Sequence, residues 1–92
     1  MTFIYPAVFK KTPEGSFQGY FPDLSHCTAL GNTLEEAVLA AHDAAFNWIT
    51  LELSEEKPDM PLISQPADLH LERGEVLRNI CVHIRLLEGW EE

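Results

Sequence analysis

Basic residues are scarce in this chain. Six lysines and arginines stand against fifteen aspartates and glutamates among 92 residues, a formal net charge of −9. A surface so negative repels phosphate backbones, which excludes direct nucleic-acid binding as a first reading. Lys10 and Lys11 form the only adjacent basic pair, Glu14 lies close by, and no arginine-rich or helix-turn-helix segment follows. Such acidity attracts a basic protein, although it also serves plain solvation.

Cysteine is nearly absent too. Cys27 and Cys81 alone cannot build a disulfide framework, so reduced thiols and a cytoplasmic location are expected. The opening MTFIYPAVFKK has no long apolar run behind a basic leader, which argues against a secretory signal. Nowhere does the chain approach the roughly 18–20 apolar residues of a membrane helix. Internal repeats and low-complexity tracts are also missing. The length suits one domain with a modest core, which relies on good packing or self-association for stability.

What is present reads as α+β. In TFIYPAVFKK, Phe3, Tyr5, Ala7 and Phe9 alternate with Ile4 and Val8 as in a strand. Pro6 lacks a backbone donor, which predicts an edge strand or a bulge there. TPEG supplies a tight turn, SFQGYF a returning strand closed by Pro22-Asp23, and CTALG a short third strand. Thr33-Leu34-Glu35-Glu36 fits a capping box, and Ala37, Val38, Ala41, Ala45 and Trp48 then recur at helical spacing to about Leu53. Pro58, Pro61 and Pro66 forbid a continuous helix, DLHL offers a short strand, and Arg73-Gly74 a turn.

In VLRNICVHIRLL, Val76, Ile80, Val82, Ile84 and Leu86 share one face. Asn79, Cys81, His83 and Arg85 share the other with Leu77 and Leu87. This predicts a long strand that joins the sheet or is exchanged with a second subunit. The expectation is a single domain over 1–92, in the order β-β-β-α-β. Its parts are a hairpin, third strand and helix (1–56), a Pro-rich connection (57–75) and a C-terminal strand (76–87). A small, mainly antiparallel sheet of three to four strands carries one main helix.

The helix has a second apolar line. Leu39, Phe46 and Leu53 fall away from the core stripe, beside His42 and Ile49. With the acidic Glu52, Glu55 and Glu56, this line is the candidate partner-binding surface, and a homo-oligomer, dimer or tetramer, is a second use for it.

Catalytic readings are weaker. In Ser25-His26-Cys27, neighbours on an extended segment point in opposite directions, and no nucleophile signature surrounds them. His26-Cys27 could meet Cys81-x-His83 around a metal, but the spacing matches no usual zinc pair, and no cofactor is expected. Of the carboxylates, only Asp23 sits at a strand end; Glu35 and Glu36 are accounted for by helix capping. A metal-dependent nuclease built on Asp23 is the alternative function, and a solitary oligomeric interaction module is a third.

The ordered set Tyr5-Pro6, Phe21-Pro22-Asp23-Leu24, Cys27, Gly31, Thr33, Glu36-Ala37 and the later Trp48 resembles the HicB-like antitoxins. The likeness covers about the first half of the chain. It implies a partial ribonuclease-H-like fold without that enzyme's active site, and a non-enzymatic role. The implied partner is a small, basic, mRNA-cleaving, HicA-like toxin. Two departures stand out. The family commonly has glycine where this chain has His26. Full-length members often carry a C-terminal DNA-binding domain, and no such motif is expected here after the last strand.

Overall fold

The β-strands come first because the N-terminal third is rich in aromatic and β-branched residues broken by turn residues. In the computed structural model, which describes residues 1–65 and 68–84, β1 spans Thr2–Lys11, β2 Phe17–Tyr20, β3 Thr28–Gly31 and β4 Glu75–His83, with helix α1 at Leu34–Leu53 between β3 and β4. The strands form one antiparallel sheet in the order β3-β2-β1-β4. The fold is thus α+β in the order β-β-β-α-β, as the sequence predicts.

The β1–β2 hairpin turns through Gly15 at a φ of 93°, with Thr12 holding both ends of the loop. Gly19 stands opposite Phe9, and a Cβ there would lie 2.5 Å from the Phe9 ring. The missing side chain lets that ring lie flat across β2 and become fully buried.

β1 is a central strand, which corrects the edge assignment suggested by Pro6. Met1 and Ile84 exchange two backbone hydrogen bonds, of 3.0 and 2.8 Å. In an antiparallel ladder such pairs alternate, so odd residues of β1 bond to β4 and even ones face β2. The β2 pairing reaches only Val8↔Tyr20, so the side of Pro6 that lacks a donor lies beyond the end of β2. No ladder bond is lost.

α1 packs on one face of the sheet. Ala37, Ala41, Ala45 and Ile49 are buried against Tyr5, Ala7 and Phe9 of β1, Ala29 of β3, and Ile80 and Val82 of β4. Phe21, Leu24 and Cys27 close one end of this core from the loop between β2 and β3. Burying each large apolar side chain contributes about 1.5–3 kcal/mol. Val38 and Trp48, expected in the core stripe, are half-buried at its margins. On the reverse face Val8 is 1% exposed between its cross-strand neighbours Tyr20 and Leu77.

Two polar ties fasten the connection after α1. The Tyr5 hydroxyl donates to the Pro61 carbonyl at 2.6 Å, and Asp23 accepts from the Ser64 amide and hydroxyl at 2.8 and 2.5 Å. They hold the chain so that Met60 packs against the core. Residues 68–71 form no strand, because the predicted DLHL segment leads straight into the turn at Gly74, φ 87°. β4 is described over Glu75–His83; Pro66 and the rest of the predicted strand at Arg85, Leu86 and Leu87 lie outside the described residues. Among the described residues no helix is long and apolar enough to cross a membrane.

Candidate partner-binding surface

The helix that carries the surface begins where its sequence says it should. The Thr33 hydroxyl accepts from the Glu36 amide at 3.1 Å, and the Glu36 carboxylate accepts from the Asn32 amide at 3.0 Å. Both halves of the capping box are thus made, the second one residue ahead of the cap. At the other end Trp48 donates its indole N–H to the Ser25 carbonyl at 2.9 Å, which fixes the helix to the loop. These anchors decide which side chains face outward.

Leu39 is 68% exposed and Phe46 38%. Between them lies half-buried His42, whose Nδ1 is 3.6 Å from the Asp43 carboxylate. Ile49 does not belong with them: it is 0% exposed and part of the core. It lies about 80° around the helix from Leu39, towards the alanine stripe, and the sheet wraps far enough to cover it. Leu53 is half-buried against the core. The apolar line is therefore two residues long on the outside, with Leu53 at its margin.

A hollow of about 530 Å³ extends the line at the start of the helix. Leu34, Val38 and Leu39 line it, with Glu35 and Arg78. Arg78 was missing from the sequence-based surface although a signal existed. It shares strand parity with Ile80 and Val82, so a charge there marks the point where the core-facing row runs out to solvent. Leu62, 91% exposed, and its neighbour Ile63 add apolar area in the connection. Their exposure depends on how Pro61 and Ser64 are tied down, which periodicity cannot reveal.

The acidic part lies at the far end of α1. Glu52, Glu55, Glu56 and Lys57 line an open hollow, and the Glu52 carboxylate also accepts from the Asp59 amide at 3.0 Å. The last turn of α1 contains no basic residue. Carboxylates at the negative end of a helix dipole are locally unfavourable by about 0.3–1 kcal/mol each, so this grouping works against stability.

The other candidates separate. Cys27 is buried, and burial pushes its thiol pKa up, while its neighbour His26 is exposed. Cys81 and His83 lie far along the chain on β4, with Sγ and Nε2 3.7 Å apart and Thr2 Oγ1 3.0 Å from His83 Nδ1. Asp23 is engaged by Ser64 through both oxygens. Among the described residues no three His, Cys, Asp or Glu side chains gather as metal ligands.

A family model described as HicB_like antitoxin of bacterial toxin-antitoxin system matches residues 5–84, from β1 through β4. The chain belongs to the HicB-like antitoxin family. Among solved structures, a chain of a "HicA3 and HicB3 toxin-antitoxin complex" is similar to it, at 30% sequence identity and a TM-score of 0.63. That likeness covers 85% of this chain and 95% of the other. No curated protein sequence matches. In this chain the stretch from Phe21 to Ala37 forms the turn after β2, the short strand β3 and the capped start of α1.

Proposed function

We propose that this HicB-like chain binds and neutralises a small, basic, mRNA-cleaving toxin of the HicA kind, acting as a binding partner and not as an enzyme. The observation that carries the reading is the acidic end of α1. Glu52, Glu55 and Glu56 line one hollow where the helix dipole is already negative, with no basic residue in the last turn and Lys57 the single cation among them. A cationic partner relieves that unfavourable grouping. Leu39 and Phe46 supply apolar anchors beside it, with His42 between them and Leu53 at the margin. Apolar anchors set affinity, and charge speeds association and makes it salt-sensitive. Because the partner attacks mRNA, the encounter belongs in the cytoplasm. The partial ribonuclease-H-like likeness serves this role as a scaffold.

The test starts with the tagged chain recovered from its host at low salt. A small basic protein should accompany it in stoichiometric amount and leave at high salt. Leu39→Asp and Phe46→Asp should each weaken that complex by roughly tenfold to a hundredfold and keep the folded circular dichroism spectrum. Recovery of the chain alone from cells where it is abundant and folded would sink the antitoxin reading in favour of a solitary module. Unfolding of the Phe46 variant would return that residue to the core and leave Leu39 to decide.

A further inference from the structure

Among the described residues, β4 is paired on one side only. The reciprocal bonds between Met1 and Ile84 set the alternation, so Val76, Arg78, Ile80 and Val82 bond inward to β1. Leu77, Asn79, Cys81 and His83 therefore direct their N–H and C=O groups to the outer edge. The Leu77 carbonyl accepts from its neighbour Arg78 Nη1 at 2.9 Å, which agrees with an outward direction. Among the described residues nothing pairs with the backbone of the other three on that side. A strand of nine residues in continuous register, without bulge, proline or lysine, is an unprotected edge. The opposite edge differs: β3 has four residues and runs directly into the cap of α1.

We propose that two copies of this chain join β4 to β4 antiparallel about a two-fold axis at Asn79, so that two four-stranded sheets become one. Because odd residues face outward on both copies, hydrogen-bonded pairs must match odd with odd. The register that overlaps the whole of Glu75–His83 satisfies this. It sets Glu75 opposite His83 of the second copy, Leu77 opposite Cys81, and Asn79 opposite itself. On the helix side Val76 meets Val82 and Arg78 meets Ile80. No like charges face each other. Shifting the register by two residues toward the start of the strand would place Arg78 against Arg78, which disfavours it.

Charge also selects a second copy over a basic partner at this edge. β4 carries one acidic residue, Glu75, and one basic residue, Arg78, in a chain of net charge −9. It is a neutral strip, where two acidic copies approach with least repulsion and a cation finds little attraction. The acidic end of α1 stays separate and free for a basic protein.

The experiment uses the purified full chain alone, so it is independent of any toxin. Light scattering after gel filtration should give twice the 10.4 kDa chain mass, and salt should strengthen the dimer by screening its repulsion. Asn79→Pro removes a donor that faces outward, opposite Pro6, and leaves the β1 ladder intact. It should raise the midpoint concentration for dimerisation at least about tenfold. Leu77→Cys provides a second readout that does not depend on that variant folding. Its thiol would oppose Cys81 of the other copy across a Cα separation of about 5.5 Å, within disulfide reach. Mild oxidation should then yield a covalent dimer that adding Cys81→Ser abolishes. A monomer at every concentration and salt, or a dimer that Leu77→Cys does not cross-link, overturns the proposal. A dimer dispersed only by Leu39→Asp or Phe46→Asp would place the contact on the helix instead.

Discussion

His26 sits at a φ of 60°, the only non-glycine residue with positive φ among the described residues. The tight loop demands it. Leu24 and Cys27 each donate a backbone bond to the residue three before, and Phe21 donates back to Cys27. In so short a circuit one residue must take the left-handed region, which costs a side-chain-bearing residue about 1–2 kcal/mol. A glycine at this position would have no such cost. His26→Gly should therefore raise stability in urea by up to about 1 kcal/mol, part of the gain being offset by the freedom of glycine in the unfolded chain. An unchanged or lower midpoint would mean that the imidazole makes a contribution the loop geometry does not explain. The motif that looked most like chemistry is thus a conformational compromise, with its cysteine serving as core.

At the scale of one element, α1 is specified from both sides of its first turn. Thr33 and Glu36 close the cap, and Gly31 lets β3 run up against it. A Cβ on Gly31 would lie 2.3 Å from the Ala37 amide nitrogen and 2.6 Å from the Glu36 carbonyl carbon. Backbone cannot move aside as a side chain can, so Gly31→Ala should cost about 1–3 kcal/mol by forcing strand and helix apart. Thermal or urea denaturation measures it directly. A near-neutral result would show that the helix start shifts freely. The capping box was legible in the sequence because its partners are three residues apart. The role of Gly31 was visible only as part of a motif, since the crowding atoms come from another element.

For the whole molecule, closure of the connection over the core has a signature in pH. Burial, and then the negative charge of Asp23, raise the pKa of the Tyr5 phenol, and burial raises that of the Cys27 thiol. Both groups hold their protons more tightly folded than unfolded. The stability they contribute is complete below the unfolded values, about 8.5 for a thiol and 10 for a phenol, and declines as pH rises through and beyond them. Denaturation midpoints should accordingly fall from about pH 8.5 upward. Tyr5→Phe should flatten the part of the decline above about pH 10, while lowering the neutral-pH midpoint through loss of the bond to Pro61. An alkaline limb identical in that variant would show that the phenol is not the group responsible.

The sequence by itself determined the elements, their order and the helix cap, and its ordered motifs pointed to the family. These rest on short-range physics: turn residues, alternation at a period of two, a stripe near 3.6, and capping partners one turn apart. Only the tertiary structure decided that Pro6 could stand in a central strand, since this required β2 to end before reaching it. It moved Ile49 from surface to core, because the angular width of the buried stripe depends on how far the sheet wraps round the helix. It also brought Arg78 of β4 beside Leu34, Val38 and Leu39 of α1, residues some forty positions apart in the chain. A single helix or strand encodes its own periodicity, but where one face gives way to solvent is set by the neighbour packed against it.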